Sequence, residues 1–239
     1  MVSRFSFTFI TVLAIFSLVV RASPLIERAD SIASTFAADA SINAVRLWNA
    51  VNNSRSMRLA SYPWSYGTPA DVNIYADWLY ITNSSILYFI ADMDVDCDGV
   101  DYMCPGNSGG DRDTSFGHLD ASKVPYYVIP ARFYSQYYPK VLPNALGAII
   151  CNGKIFYGIM GDTNGANPQM IGEASYLLAR TCFPQDNLNG NRGHEARDVA
   201  YIIFGNQVPG GVQDQTIDIN ALKTLGDQQL RMLTRKLGI

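Results

Sequence analysis

The sequence predicts a mainly β (α+β) fold: a single domain built round a small barrel, with helices at its periphery. Three observations carry this. Six short runs are rich in Ile, Val, Tyr and Phe: Trp78–Thr82, Ile86–Ala91, Tyr126–Pro130, Gly147–Cys151, Lys154–Met160 and Val199–Phe204. Turn residues bound most of them, as strands require. Asn152-Gly153 separates two of the runs, and that dipeptide is a strong tight-hairpin signal because both residues tolerate positive φ. At 239 residues the chain can bury a full core as one domain.

Taken in order, residues 1–22 read as a secretory signal peptide. Arg4 supplies the positive start, and Phe5–Val20 is an apolar run too short for a membrane span. Val20 and Ala22 offer small residues for cleavage after Ala22. Residues 23–37 form a pro-segment or flexible N-terminus, with a clipping site near Arg28, and 38–239 form the working domain. Within it, 38–52 favours a helix whose apolar face is Ile42, Val45 and Trp48, with Leu47 alongside. Residues 54–76, rich in Pro, Gly and Tyr, read as irregular. The strand runs follow, interrupted by a helix over 173–181. A terminal amphipathic helix over 218–237 is anchored by Leu222, Leu225, Leu230, Leu233 and Leu237. There is no internal repeat and no long linker.

The net charge is −3, and losing Arg4 and Arg21 with the leader takes it to −5. That disfavours nucleic acid, which needs a basic surface, and suits a cationic partner. No segment after the leader is long and apolar enough to span a membrane. A secreted, extracellular monomer is expected. In an oxidising compartment the four cysteines form disulfides. Three pairings are open; Cys97–Cys104 with Cys151–Cys182 is favoured because each bridge pins a loop. Asn52 and Asn83 head Asn-x-Ser glycosylation sequons.

The chemistry-bearing segment is 158–175. It holds two isolated carboxylates, Asp162 and Glu173, each preceded by glycine. The chain has only three glutamates, so a glutamate in a Gly/Asn-rich loop is not ordinary surface charge. A pair of carboxyl groups held near each other is the minimal equipment for splitting a glycosidic bond. A plainer reading is available for each: Asp162 shapes a turn and Glu173 complements the start of the 173–181 helix.

A second feature is acidic. Asp92, Asp94, Asp96 and Asp98 alternate, so a strand would set all four on one face. Like charges in a row are unfavourable unless a cationic ligand lies against them. The four are candidate substrate-binding residues, and Asn164 joins them from the Asp-Thr-Asn-Gly turn. Residues 94–99 match the opening of an EF-hand loop, but the twelfth position is Pro105 instead of the closing glutamate. His118 and His194 are the only histidines, which disfavours zinc. No nucleophile elbow and no phosphate-binding loop occurs. No metal and no cofactor is expected.

Several motifs occur in order: Asp-Met-Asp-Val-Asp-Cys-Asp-Gly (92–99), Tyr-Gly-Ile-Met-Gly-Asp-Thr-Asn-Gly (157–165), Gly-Glu-Ala-Ser (172–175), Cys-Phe-Pro (182–184) and Asn-x-Gly-His (191–194). Together they resemble the fungal chitosanases of glycoside hydrolase family 75, closely over about 86–206 and loosely at the flanks. The resemblance implies an endo-acting enzyme that cleaves β-1,4-linked glucosamine in chitosan with inversion, with Asp162 and Glu173 as its essential carboxylates. Met160 departs from the Trp that relatives carry there. Analogy with other carboxylate-bearing, saccharide-cleaving barrels suggests a barrel of double-psi type. A Glu173 at a helix N-terminus would be biased toward ionisation, which makes it the general base and Asp162 the general acid. The rival class is a non-catalytic cell-wall polysaccharide-binding module, and a third is a β-glucanase acting on neutral glucans.

Overall fold

The computed structural model describes residues 33–239 apart from 101 and 108. The expected signal peptide and most of the 23–37 segment lie outside the described residues. Packing nonetheless reaches back before residue 38. Phe36 is fully buried, its ring 5.7 Å from that of Phe156, and Ala37 forms a bridge with Phe156.

Eight strands among the described residues build one sheet: β1 (Arg58–Tyr62), β2 (Val72–Tyr75), β3 (Ile86–Asp96), β4 (Tyr126–Pro130), β5 (Leu146–Cys151), β6 (Lys154–Asn164), β7 (Glu173–Ser175) and β8 (His194–Phe204). Six of them close into a barrel in the order β3-β7-β4-β6-β5-β8, because β8 also pairs with β3. Closure leaves no free edge in the ring. The β1–β2 hairpin extends outward from β3 through Tyr75 and Tyr88. Outside lie the helices α1 (Ala44–Asn53), α2 (Ala131–Tyr137), α3 (Tyr176–Cys182) and α4 (Ile219–Leu237).

The expected strands form, and β3, β6 and β8 each run on to 11 residues, which takes Asp162 and Asn164 into β6 instead of a turn. There is one exception. Trp78–Thr82 is a turn. Its Trp78 is buried against Tyr88, with ring centroids 4.3 Å apart, so this apolar run plugs the core without joining the ladder. Conversely, β1 and β2 occupy the stretch expected to be irregular. The hairpin between β5 and β6 turns on Asn152 and Gly153, at φ 46° and 70°, the left-handed pair such a turn demands.

Aromatic side chains are buried on both faces of the barrel wall. Tyr126, Tyr127, Tyr157, Phe89 and Phe204 are fully buried, and Phe89 stacks on Tyr201 at 4.5 Å. Buried phenols need partners: Tyr127 donates to Ala145 O at 3.1 Å and Tyr201 to Asp92 O at 2.9 Å. Both favoured disulfides are present, Cys97–Cys104 and Cys151–Cys182. The second ties the end of β5 to the end of α3.

Two pairings are parallel, β3 with β7 and β4 with β6. They decide where chemistry can sit. Glu173 pairs with Asp94, and Asp162 lies beside Val128 of β4, whose Tyr127 pairs with Ala174. Glu173 and Asp162 therefore flank β4 on either side, two strand spacings or about 10 Å apart along the barrel wall.

Candidate active site

Asp162 and Glu173 line one open cleft of about 730 Å3. Asp96, Asp98, Asp111 and Asp113 line it too, and Arg112 is the sole basic side chain in the lining. Six carboxylates against one guanidinium make the cleft strongly anionic. Such a field raises the local concentration of cationic ligands.

Glu173 is not at a helix start. It opens the three-residue β7, and Ser175 caps α3 by accepting from Leu178 N. The macrodipole argument for its ionisation therefore falls away. Instead, burial, followed by the charges of Asp94, Asp162 and Asp98, pushes its carboxyl up to about 7. Asn164 opposes this by donating from Nδ2 to Oε1 at 3.1 Å and to Oε2 at 3.0 Å. The orientation of that amide is fixed, because its Oδ1 accepts from Ala166 N and Met170 N at 3.2 and 3.1 Å. Asn164 thus holds a carboxylate instead of standing free for a ligand.

Asp162 is 6% exposed. Its Oδ1 accepts from Ser115 N at 2.8 Å, Ser115 Oγ at 2.5 Å and Thr163 N at 2.6 Å. Burial raises its carboxyl above the ordinary value, the charge of Asp111 adds to that, and these three donors hold it down. The two carboxyls therefore differ in kind: one is restrained toward ionisation by three donors on one oxygen, the other is pushed to near neutrality.

The alternating aspartates do not act as one row. The β3–β8 ladder is irregular between Ala91 and Met93, where Asp92 of β3 spans four residues of β8, 195–198, so the four aspartates meet different neighbours. Asp96 and Asp98 reach the cleft. Asp96 is held well above the usual carboxylate range by burial, then by Glu173, Asp162 and Asp98. Asp98 accepts from Asp111 N at 2.9 Å. Asp94 is pushed up to about 6 by burial and by Glu195, outside the cleft lining. Asp92 is 1% exposed, beyond reach of any ligand in the cleft. Gly172 makes room for it: a Cβ there would lie 2.2 Å from Asp92 Oδ1, and φ is +114°.

The carboxylate oxygens of Asp96, Asp98 and Asp162 come within 4.8 Å of one another. Three carboxylates gathered this closely favour a cation, and an ammonium group suits them. Below them lies the buried Tyr126, whose hydroxyl donates to Asp98 O at 3.0 Å. Sequence reasoning missed Ser115 and Asp111, because only the fold brings them to Asp162. His194 lies away from the cleft lining. It is stacked on Phe183 at 3.5 Å between Asp186 and Asp198, and pins the preceding loop to β8.

Comparison with known proteins places this cleft in context. A family model described as fungal chitosanase of glycosyl hydrolase group 75 matches residues 93–237, a span that includes both carboxylates. Endo-chitosanase C of Aspergillus oryzae is 43% identical over 185 residues, which cover 75% of this chain and 48% of that protein. An endo-chitosanase of Aspergillus fumigatus is 39% identical over 140 residues, covering 50% of this chain and 57% of its own length. The chain spans about half the length of the endo-chitosanase C that it matches.

Proposed function

Because the chain belongs to the fungal chitosanases of glycosyl hydrolase group 75, we propose that it is a secreted endo-chitosanase that hydrolyses β-1,4-glucosamine linkages through Asp162 and Glu173. The observation that carries this is the pair itself: two buried carboxyls in one anionic cleft, both raised by burial, with three donors on one oxygen of Asp162 and a single amide on Glu173. Unlike environments of this kind can set an acid apart from a base.

Glu173, raised to about 7, keeps its proton in mildly acidic solution and gives it to the departing glycosidic oxygen. Asp162, restrained by three donors on Oδ1, is the base. Its other oxygen takes a proton from water as that water attacks C1 from the opposite face. This reverses the roles that a helix-borne Glu173 would have had. Inversion needs carboxyls about 6.5–9.5 Å apart to admit the water. Backbones about 10 Å apart across β4, with both side chains lining one cleft, are compatible with that separation.

Asp98 binds substrate amines in ammonium form, and a cation bound there draws the proton off Asp96, which then joins the contact. Asp92 and Asp94 act only through the field they add. Two disulfides, and Asn83 exposed on a turn as a glycan acceptor, support an extracellular working place. Among the described residues no helix is long and apolar enough to cross a membrane.

Asp162→Asn and Glu173→Gln are each expected to cut release of reducing ends from chitosan by at least ~100-fold, with binding retained. The first-formed product should carry the inverted anomeric configuration by NMR. Wild-type protein that binds chitosan and releases no reducing ends would make this a binding module instead.

A further inference from the structure

We propose that Ser115 is a positioning residue for Asp162: its amide and hydroxyl pin Oδ1, lock the carboxylate in one orientation and leave Oδ2 as the oxygen that meets the attacking water. The inference rests on the reading of Asp162 as a working carboxylate.

The hydrogen-bond inventory of the serine carries the argument. A hydroxyl offers one donor and two acceptor positions. Ser115 Oγ lies 2.5 Å from Asp162 Oδ1, accepts from Thr163 N at 3.1 Å, and sits 2.8 Å from Thr163 Oγ1. The carboxylate cannot donate when ionised, so the serine proton goes to Asp162, and both acceptor positions are filled by Thr163. Thr163 N also bonds Asp162 Oδ1, at 2.6 Å. Every donor aimed at Asp162 therefore converges on Oδ1. Among the described residues Oδ2 receives no hydrogen bond.

The serine is itself held. Thr114 N and Thr114 Oγ1 both bond Gly117 O, at 2.7 and 2.9 Å, closing the turn that presents it. Phe116 packs edge-on against Tyr134 of α2 at 5.3 Å. His118 anchors the turn's end, its backbone N bonded to Asp214 O at 2.9 Å and its ring between Asp214 and Asp113 at 2.8 Å each. Ser115 is 47 residues from Asp162 in sequence, so this contact is tertiary and costs ordering. Such a contact is well suited to positioning, since a misplacement of about 1 Å at a reacting group can cost ~100-fold in rate.

The groups facing Asp162 are Asp96 at the end of β3, Asp98 just beyond it, Asp111 from the loop, Glu173 from β7 and the Tyr126 hydroxyl from β4. All the charged ones are carboxyls, so each favours a protonated Asp162. The serine hydroxyl is the side-chain donor that opposes them.

Ser115→Ala, Ser115→Thr, Asn164→Ala and Asp162→Asn test this on chitosan. Rates are read as ratios to wild type at each pH, which cancels the titration of the substrate amines. Ser115→Ala should lower kcat about tenfold with KM nearly unchanged, and its acidic limb should move to higher pH. Ser115→Thr, which keeps the hydroxyl, should restore both. Asn164→Ala should move the alkaline limb instead, because it releases Glu173. Melting curves check that each variant is folded. A Ser115→Ala ratio that is flat with pH in a folded protein overturns the inference. Full activity in Asp162→Asn overturns the underlying reading of the site and is told apart by that variant alone.

Discussion

Asp92 shows what a single residue can cost. It is 1% exposed, and neither carboxylate oxygen has a hydrogen-bond partner among the described residues. Burial, then the charges of Asp94 and Glu173, raises it from 3.8 to about 8, against the pull of Arg197. Between those values the folded chain holds a proton that the unfolded chain releases. Stability therefore falls as pH rises from about 4 to about 8. Asp92→Asn cannot ionise, so its melting temperature relative to wild type should climb across pH 5 to 8, by roughly 5 °C or more. A difference constant with pH would refute a protonated Asp92. The alternation of aspartates was legible in the sequence, but the burial of Asp92 was not. It comes from neighbours such as Gly172 that only the fold supplies, and nothing in Ala-Asp-Met announces them.

At the scale of elements, the turn at 113–118 is tethered by a histidine clasped between two aspartates. The hydrogen bond and charge of Asp214, then the charge of Asp113, raise His118 above its usual value. A raised histidine contributes its tether fully below its unfolded value of 6.5 and loses it as pH rises through the folded value. Amide exchange across 113–118, corrected for intrinsic rates, should speed up on the alkaline side. His118→Asn should remove that pH dependence, and an identical response in the variant would show that the clasp does not titrate.

The elements also show what sequence pattern can convey. β4, β5, β6 and α4 were legible because apolar periodicity and turn residues agree over their lengths. β1 escaped because its residues are half-exposed without alternation, and Trp78–Thr82 misled because its apolar run fills the core as a turn. Glu173 was legible as chemistry yet misplaced. Glu-Ala-Ser-Tyr-Leu-Leu favours helix, and a three-residue strand ahead of α3 is too short to register in any periodicity. Ser115 left no local signal, since its only distinction is a partner 47 residues away.

For the molecule as a whole, a net charge of −3 understates the field at the cleft, where six carboxylates face one arginine. Turnover should fall steadily as chitosan is acetylated, because acetylation removes the amine charge. It should also fall several-fold as salt rises from about 0.05 to about 0.5 M, where screening shortens to a few ångströms. Equal turnover of chitin and chitosan would sink the anionic-cleft account. The ring itself carries a consequence in time. Its seam joins Ile86 to Phe204, so the last strand of the barrel must find one made more than a hundred residues earlier. Pairings that distant are slow, because loop-closure entropy is paid before any contact rewards it. A chain emerging from the ribosome has an open sheet with two raw edges until β8 arrives. Shortened chains that stop before His194 should therefore be aggregation-prone, and activity should appear late in refolding, with the closing of that seam.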